Sequence, residues 1–378
     1  MKIVYISTSD IPSITANSIQ VMKMCQAFKN LGHDITLLTP GNELNDTENN
    51  NDLWKHYGIR NKFRITYIGS INSMRVSYKY KIFIYLLFNR PKLLYTRDIY
   101  ISILSSILRI NTIIELHDPG YGPFRIIGYN LISYLKCILK VVLISEGLKD
   151  IVLKRYDNKR LNNKIIIAHD GVDIKRFENI HNKENIRKTI NINQHINVVG
   201  YCGHLYKGRG LELIMELSGK LADKSFLIIG GNNKEVKYYI NKAKESNIKN
   251  IQFVGFVENM LLPQYLAACD ILLMPYQDKV TVSGGGNTVE FMSPLKMFEY
   301  MASKRPIICS NLKVIREVLD DNSAILCNPN NIDEWVNGIN KLIENRKYSK
   351  NIAQNAFNNV KKYEWEKRVN HIIQDLNI

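Results

Sequence analysis

The chain has 378 residues, enough for two domains of ordinary size, and its hydrophobic fraction of 45% is normal for a globular protein. Its formal net charge of +16 favours anionic partners. The six cysteines are scattered and form no CxxC pair, which argues against a disulfide framework or a metal site and predicts free thiols in a reducing compartment.

The N-terminal residues Met1–Ile6 predict a short strand and not a secretory signal peptide. The longest apolar region, Ile126–Ile144, is interrupted by Lys136 and Lys140. We interpret it as a buried helix followed by a buried strand, because a membrane-spanning helix needs a longer uninterrupted apolar run. We therefore expect a cytoplasmic protein, at most peripheral on the inner face of the cell membrane.

Basic charge is concentrated in the first half of the chain. The window from Leu53 to Arg97 holds no acidic residue, and aromatic residues are interleaved with its lysines and arginines. This pattern favours contact with an anionic membrane surface. A solvated basic face, in a chain rich in Lys, Asn and Ile, is a second interpretation, and a nucleic-acid surface is the least favoured of the three.

Apolar strands alternate with amphipathic helices in two stretches, which is typical of parallel α/β sheets. The first stretch predicts strands at Ile3–Ser7, Asp34–Thr39, Leu93–Thr96, Thr112–Leu116, Val141–Ser145 and Ile165–Ala168, and a helix at Ser18–Leu31. The second predicts strands at Ile196–Cys202, Phe226–Ile229, Ile251–Val254, Ile271–Met274, Pro306–Ser310 and Ala324–Cys327. The polar residues 179–194 are the expected linker, and the polar segment from Asn331 onward is predicted to be helical with little to pack on in its own domain.

Polar residues that directly follow the predicted strands are the candidate site residues, because ligands bind beyond the carboxyl ends of parallel strands. The loop after the first strand lacks the GxGxxG of a dinucleotide-binding domain. In this loop, Ser9, Asn17 and Ser18 could line an acceptor or phosphate pocket, or Ser18 could only cap the following helix.

His117 follows the strand Thr112–Leu116 and leads into a loop rich in Gly and Pro. From that position it could hydrogen-bond a sugar hydroxyl or a phosphate, with Asp118 beside it. Arg97 and Asp98 follow another strand in the same way, although these two could equally form a structural ion pair.

The loop Gly203–Gly210 combines three glycines with His204, Lys207 and Arg209 and leads into a predicted helix. Backbone N–H groups, a helix dipole and a fixed cation suit a pyrophosphate, and a flexible turn is the alternative interpretation. Gly230 follows the next strand and allows close approach of the backbone.

A third loop, with Phe256 and Val257, follows the strand Ile251–Val254 and could hold a nucleobase through its backbone groups. A fourth candidate is the segment Ser293–Ala302, where Ser293 is interpreted as a helix N-cap and Pro294 as the first helical residue. Such a helix start suits phosphate, and an ordinary surface helix is the alternative.

Together these segments resemble, in sequence and in order, the family 4 glycosyltransferases of the GT-B fold. The resemblance covers nearly the whole chain and rests on residues 31–36, 170–177, 203–210, 253–257, 267–275 and 293–302. It implies an α/β protein of two Rossmann-like parallel-sheet domains that face a cleft. Residues 1–175 would form the acceptor-binding domain, residues 176–360 the nucleotide-sugar domain, and residues 361–378 a helix that packs back on the N-terminal domain.

The resemblance also implies roles for single residues. Arg209 matches the lysine that grips the diphosphate, and His117 matches the histidine that contacts the donor sugar or phosphate. Glu299 matches the second glutamate of a paired-glutamate motif and is expected on the ribose. The first glutamate of that pair falls on Phe291, and Glu290 beside it could substitute by a loop shift.

The candidate catalytic residues are therefore His117, Arg209 and Glu299. The candidate donor-binding residues are Gly203, His204, Lys207, Gly230, Phe256, Val257, Glu290, Ser293, Pro294, Leu295 and Lys296, and Lys296 is expected to add charge toward phosphate. The candidate acceptor-side residues are Ser9, Asn17, Ser18, Arg97, Asp98 and Asp118.

The resemblance implies retaining transfer of a hexosyl or N-acetylhexosaminyl group from a UDP- or GDP-linked donor, with no cofactor and no metal. The expected acceptor is a glycan or a lipid-linked molecule in bacterial-type surface polysaccharide synthesis, and no nucleic-acid partner is expected. The alternatives are a nucleotide-sugar epimerase on the same fold and a non-catalytic protein that binds an anionic surface.

Overall fold

The computed structural model describes residues 1–41, 53–69, 75–120, 122–156, 158–178, 180, 183–193, 196–281 and 286–376. The chain forms two compact units. Unit 1 comprises residues 1–170, 291–293 and 365–378, and unit 2 comprises residues 171–290 and 294–364. Each unit is built on a sheet in which every described strand pair is parallel.

Unit 1 contains a seven-stranded sheet of order β3-β2-β1-β4-β5-β6-β7. Its strands are β1 Lys2–Ile6, β2 Asp34–Thr39, β3 Arg64–Tyr67, β4 Leu93–Thr96, β5 Thr112–Leu116, β6 Ile138–Leu143 and β7 Ile165–Ile167. Its helices include Ala16–Asn30, Arg75–Asn89, Ile99–Ile107, Pro123–Tyr134, Glu146–Tyr156, Lys159–Asn162 and Trp365–Ile373. The strand order reverses between β1 and β4, which is where doubly wound sheets bind ligands.

Unit 2 contains a six-stranded sheet of order β10-β9-β8-β11-β12-β13. Its strands are β8 Val198–Cys202, β9 Ser225–Ile229, β10 Ile251–Gly255, β11 Ile271–Met274, β12 Ile307–Ser310 and β13 Ile325–Cys327. Its α-helices are Lys183–Thr189, Leu211–Lys220, Asn233–Glu245, Leu262–Ala268, Leu295–Ala302, Lys313–Arg316, Ile332–Glu344 and Arg346–Val360, with 3-10 turns at Ile174–Phe177 and Lys361–Tyr363. Here the order reverses between β8 and β11.

The predicted class of two parallel-sheet domains is confirmed, and the predicted strands lie within a few residues of their observed bounds. The near-continuous apolar runs of β1, β5 and β8 are buried on both faces, as central parallel strands are. The sequence prediction missed β3, Arg64–Tyr67, because this short edge strand is only partly buried and begins with a charged residue. All six cysteines are free thiols.

The predicted start of the first helix is wrong. The helix begins at Ala16, and Thr15 is its N-cap, whose side chain accepts a hydrogen bond from the Ser18 N–H at 3.3 Å. Ser18 lies buried in the first turn, and its hydroxyl donates to the carbonyls of Ser13 and Thr15, both at 2.9 Å. Ser18 therefore stabilises the turn from inside the helix.

The prediction that residues 179–194 form a linker is also wrong for its described part. Lys183–Thr189 is a helix of unit 2, in which Arg187 is buried. The Arg187 guanidinium donates to Asp270 at 2.7 Å and to the Ala268 carbonyl at 2.9 Å. Charged residues suggested a solvated segment, but a distant carboxylate compensates the burial of this arginine.

The polar segment from Asn331 onward has more to pack on than its composition indicates. Trp335, Ile339 and Leu342 are spaced to share one helix face, and they are fully or almost fully buried in the core of unit 2 together with Ile352. The last helix, Trp365–Ile373, belongs instead to unit 1, where it packs on the helix Ala16–Asn30.

The region Ile126–Ile144 forms a helix and a strand as predicted, but the helix is not buried. Pro123–Tyr134 leaves Ile127 62% and Tyr134 59% exposed, because it covers the sheet with its other face only. In the described part of the chain, no helix combines the length and the hydrophobicity needed to cross a membrane.

Candidate functional site

The loop Gly203–Gly210 of unit 2 is fastened to the segment that follows β11. The Gln277 N–H donates to the Gly208 carbonyl at 2.9 Å, and the Thr281 hydroxyl donates to the Lys207 carbonyl at 2.8 Å. Because β8 and β11 are neighbours, these contacts hold the loop at the carboxyl edge of the sheet, beside the point where the strand order reverses.

Two glycines of this loop are required by the protein's own backbone. Gly208 and Gly210 adopt φ angles of +85° and +87°. A Cβ atom at Gly208 would lie 1.8 Å from the Lys279 carbonyl oxygen, and one at Gly210 would lie 2.0 Å from that of Pro275. The glycines therefore permit two chain segments to meet, which brings the intervening Arg209 against the segment after β11.

Arg209 is held by a tyrosine that the sequence analysis did not single out. Its Nη1 donates to the hydroxyl of Tyr276 at 2.9 Å, and its guanidinium lies 5.2 Å from the centre of that ring. The Nε of Arg209 is buried and has no hydrogen-bond partner in the described part of the chain. Arg209 is thus a fixed cation with an unused donor.

Lys296, in the first turn of the helix Leu295–Ala302, is buried and lies near Arg209. Its Nζ lies 3.9 Å from the ring centre of Tyr201 and 5.3 Å from that of Tyr276. Nothing within the described residues accepts a hydrogen bond from this amine. Burial first, and then the charge of Arg209, hold the pKa of Lys296 well below its usual value.

The start of the helix Leu295–Ala302 differs from the prediction. Pro294 is the capping residue, and no side chain among the described residues caps this end of the helix. Ser293 belongs to unit 1, where its hydroxyl accepts a hydrogen bond from the Asp170 N–H at 3.0 Å. Because no described side chain occupies them, the first N–H groups of the helix remain available to bind an anion.

The same helix is tied to β8 by Tyr300, whose hydroxyl accepts a hydrogen bond from the Cys202 N–H at 2.6 Å. Next along the chain, the rings of His204 and Tyr206 stack with their centres 4.8 Å apart. Burial, followed by the charges of Arg209 and Lys296, lowers the pKa of His204 to about 4, so His204 is neutral at pH 7. The neighbouring Lys207 is exposed.

Glu299 forms an ion pair with Arg176 of the 3-10 turn Ile174–Phe177. The distance between Arg176 Nη1 and Glu299 Oε1 is 3.8 Å, and both side chains are largely buried. Arg176 also donates to the Asn259 carbonyl. This pairing fixes the position of the Glu299 carboxylate.

Phe291, where the resemblance places the first glutamate of the pair, is a core residue of unit 1. Its side chain is buried among apolar residues that include Ile99 and Leu116, and its carbonyl accepts a hydrogen bond from the Ser145 hydroxyl at 2.9 Å. The adjacent Glu290 is exposed and belongs to unit 2.

The remaining candidates of unit 2 lie along the same edge of its sheet. The Gly230 N–H, after β9, donates to the carbonyl of Gly255, at the end of β10, at 2.7 Å. Phe256, which follows directly, is 46% exposed, and Val257 is partly buried. Since β8, β9 and β10 are consecutive in the sheet, Gly203, Gly230 and Phe256 follow three neighbouring strands.

In unit 1, His117 follows β5 and is bonded to a buried glutamate. Its Nε2 lies 2.5 Å from Glu115 Oε1. The Glu115 carboxylate also accepts from Gln20 Nε2 at 2.6 Å, from Arg368 Nη1 at 3.1 Å and from the Tyr95 hydroxyl. Glu115 is fully buried, and no local pattern in the sequence marks it, because it is one polar residue inside an apolar strand.

Arg97 and Asp98 do not pair with each other. Arg97 Nη1 donates to Gln20 Oε1 at 3.3 Å. Asp98 is the N-cap of the helix Ile99–Ile107, and its carboxylate accepts from the Tyr100 N–H at 2.7 Å and from the Ile101 N–H at 3.1 Å. Of the two, Arg97 joins the network around His117 and Asp98 stabilises a helix start.

The remaining candidates Ser9, Asn17 and Asp118 of unit 1 make local hydrogen bonds. Asn17 Nδ2 donates to the Ser9 hydroxyl, and Asp118 accepts from Arg125 and from the Gly120 N–H. Because β1, β4 and β5 are neighbours, Ser9, Arg97 and His117 lie at one carboxyl edge. Within the described ranges, no group of three His, Cys, Asp or Glu side chains is placed to hold a metal ion.

Three comparisons relate the chain to known proteins. Residues 182–359 match the family described as glycosyl transferases group 1. A protein of Methanocaldococcus jannaschii named uncharacterized glycosyltransferase MJ1178 is 23% identical over 231 residues, which are 61% of this chain and 57% of that protein. The O-antigen biosynthesis glycosyltransferase WclY of Escherichia coli is 27% identical over 156 residues, 41% of this chain and 39% of WclY. Both matches span less than two thirds of the relative.

Among solved structures, that of Anabaena Alr3699/HepE in complex with UDP-glucose has a TM-score of 0.75 at 15% identity and covers 98% of both chains. This likeness confirms the predicted GT-B fold. Residues 182–359 thus match the glycosyl transferases group 1 family, and the chain as a whole has the GT-B fold.

Proposed function

We propose that the protein is a retaining glycosyltransferase that moves a sugar from a UDP- or GDP-linked donor to a glycan or lipid-linked acceptor. The observation that carries this proposal is the pair of cations at the start of the helix Leu295–Ala302. Arg209 and Lys296 hold buried donor atoms that have no partner among the described residues. Unsatisfied cationic donors beside an uncapped helix start suit a diphosphate.

The relatives support the reaction class and a role in surface polysaccharide synthesis. The names of MJ1178 and WclY both state glycosyltransferase, and that of WclY adds O-antigen biosynthesis. HepE was solved with UDP-glucose. By analogy, we place the donor of this protein on unit 2, with the base at Phe256 and Val257 and the ribose at Glu299.

The proposed reaction breaks the bond between the anomeric carbon and the diphosphate oxygen. Negative charge grows on the leaving diphosphate, and Arg209, Lys296 and the helix N–H groups stabilise that charge. The acceptor hydroxyl attacks from the face that the diphosphate leaves and transfers its proton to the diphosphate, which preserves the anomeric configuration. This scheme needs neither a paired carboxylate nor a metal ion.

Turnover of nucleotide sugars tests the proposal. The purified protein, incubated with UDP- and GDP-linked hexoses and N-acetylhexosamines, should slowly hydrolyse one donor to the free sugar and the nucleoside diphosphate. Release of an epimerised nucleotide sugar would support an epimerase instead. Failure of every nucleotide and nucleotide sugar to raise the melting temperature would favour the non-catalytic alternative.

The exposed apolar side chains of unit 1 support a further part of this proposal, contact with an anionic membrane. They lie on the helices Arg75–Asn89, Ile99–Ile107 and Pro123–Tyr134, which pack in sequence against one another. The most exposed are Phe88 at 84%, Ile107 at 69%, Tyr80 at 65% and Ile127 at 62%. Lysine and arginine lie among them, as in surfaces that bind anionic lipid.

We expect the protein to sediment with vesicles that contain phosphatidylglycerol and to remain in solution with phosphatidylcholine alone. Phe88 and Ile107 lie at the carboxyl ends of two neighbouring helices. Replacing both by serine should weaken this binding about tenfold or more, because two apolar side chains no longer enter the interface. Equal binding of the double variant and the wild-type protein would contradict the placement of the membrane on this surface.

A further inference from the structure

The Glu115 carboxylate receives four hydrogen bonds although it is fully buried. Oε1 accepts from Gln20 and His117, and Oε2 accepts from Arg368 and Tyr95. Burial by itself raises the pKa of Glu115, but Arg368, followed by the His117 hydrogen bond, outweighs it and holds the pKa well below the usual value. The carboxylate is therefore ionised and can only accept hydrogen bonds.

Each group that contacts an ionised carboxylate has to supply the hydrogen, so the Nε2 of His117 carries a proton. The other ring nitrogen, Nδ1, has no partner in the described part of the chain, and the side chain is 20% exposed. Burial, and then the charge of Arg97, lowers the pKa of His117 to about 4, while Glu115 acts in the opposite direction and Arg368 adds to the lowering. At pH 7 the Nδ1 is thus an unprotonated acceptor.

Two further residues keep this arrangement in one orientation. Gln20 Oε1 accepts from Arg97, which turns the amide nitrogen of Gln20 toward Glu115. Arg368 comes from the last helix, and its guanidinium also donates to the carbonyls of Ala168 at 3.0 Å and His169 at 2.7 Å. Because Arg368 is fixed by these two carbonyls and also donates to Glu115, the Glu115 carboxylate has little freedom to turn away from His117.

We propose that Glu115 is a positioning residue that holds His117 as the Nε2–H tautomer and so presents the lone pair of Nδ1 to the substrates. The group that binds at Nδ1 is then a hydroxyl, which can donate a hydrogen bond, and not an ionised phosphate oxygen, which cannot. The identity of this hydroxyl, on the donor sugar or on the acceptor, rests on the proposed function, whereas the tautomer rests on the geometry alone.

Nitrogen NMR of the ligand-free protein labelled in its histidine rings tests the tautomer. His117, assigned from the resonances lost in His117→Asn, should show a protonated Nε2 and a bare Nδ1 at pH 7. A protonated Nδ1, in either the other tautomer or the imidazolium, would overturn the proposal without reference to any enzymatic activity.

Glu115→Gln tests the positioning role. Arg368 and Tyr95 should keep the amide oxygen on their side, so the amide NH₂ takes the place of Oε1, which accepts from both Gln20 and His117. The Gln20 amide then has to turn its oxygen toward residue 115, and the His117 ring should change to the Nδ1–H tautomer. Persistence of the Nε2–H tautomer would overturn the role of Glu115. Should this variant not fold, Glu115→Asp keeps the charge but withdraws the carboxylate from the ring, and a mixture of tautomers is expected.

Substrate analogues identify the hydroxyl. The side-chain amide of an asparagine at position 117 lies close to the place of Nδ1, and that of a glutamine lies close to the place of Nε2. Because the substrate hydroxyl binds at Nδ1, the asparagine oxygen can still accept its hydrogen bond. His117→Asn should therefore keep about tenfold more kcat/KM than His117→Gln. Fluorine cannot donate a hydrogen bond. Replacing one hydroxyl of the sugar in the nucleotide-sugar substrate by fluorine should therefore lower the kcat/KM of the wild-type protein about tenfold and should change that of His117→Gln little.

If only an acceptor analogue lacking a hydroxyl shows this coupling, the partner of Nδ1 is the acceptor hydroxyl. If neither set of analogues shows it, the hydroxyl assignment is wrong. Absence of any turnover by the wild-type protein would refute the proposed function, and the NMR result on the tautomer would still stand.

Discussion

Replacing Arg209 by alanine is expected to lower kcat/KM for sugar transfer by about 10²–10³-fold, the usual cost of losing one preorganised donor at a developing negative charge. Arg209 is held by the Tyr276 hydroxyl at 2.9 Å, so its guanidinium is in place before the donor binds. Steady-state kinetics with the donor found in the turnover screen, together with the melting temperature, measure this effect.

Two variants serve as controls for this experiment. Tyr276→Phe removes the hydrogen bond to Arg209 but keeps the ring, and we expect a loss of about tenfold or less, since a single net hydrogen bond is worth about 1 kcal/mol. Arg305→Ala removes another partly buried arginine. Arg305 lies just before β12 and donates a hydrogen bond to the Ala267 carbonyl, and its replacement should leave kcat/KM nearly unchanged. Near-wild-type turnover by folded Arg209→Ala would contradict the assignment.

Replacing Lys296 by methionine is expected to stabilise the ligand-free protein and to weaken nucleotide binding. An unsatisfied buried donor costs about 1–3 kcal/mol, and the thioether of methionine can keep the contact with the Tyr201 and Tyr276 rings. Affinity for a nucleoside diphosphate should fall about 10- to 100-fold with the loss of a charge-assisted hydrogen bond. Urea unfolding and calorimetric titration measure the two effects.

The pH dependence of this stability gain has a defined sign. Burial and Arg209 lower the pKa of Lys296 in the folded state, so folding is penalised wherever the unfolded lysine is protonated. The gain from Lys296→Met should therefore be largest at low pH, should shrink as the pH rises, and should vanish above about 10.4, the ordinary pKa of lysine.

Lys224→Met is the matched control for the lysine variant. Lys224 and Lys296 are each 9% exposed, but Lys224 donates to Asp223. Because its amine already has a partner, its replacement should not stabilise the protein. A less stable Lys296→Met protein, or one with unchanged nucleotide affinity, would show that Lys296 is an ordinary structural residue.

The parallel sheets and the main strand-end loops could be predicted from the sequence because both signals are local. Runs such as Ile271–Met274 are apolar over the length of a strand. The loop Gly203–Gly210 has its glycines and its cationic residues within one short segment. The helical core residues Trp335, Ile339 and Leu342 also follow a readable spacing, although the polar composition around them concealed it.

What could not be predicted depends on partners that are distant in the sequence. Arg187 can be buried because it forms an ion pair with Asp270. Ser293 is not the N-cap of the following helix, and its hydroxyl instead accepts a hydrogen bond from the Asp170 N–H. The environment of Lys296 likewise depends on Tyr201, almost a hundred residues earlier. No local pattern at Lys296 or Ser293 reports these contacts.

The structure of the protein with the nucleoside diphosphate that it binds most tightly is the most direct test of the diphosphate site. We expect the phosphate oxygens within hydrogen-bond distance of Arg209, of Lys296 Nζ and of the first N–H groups of the helix Leu295–Ala302. A diphosphate bound elsewhere, with Arg209 and Lys296 still without an anionic partner, would contradict the proposed site.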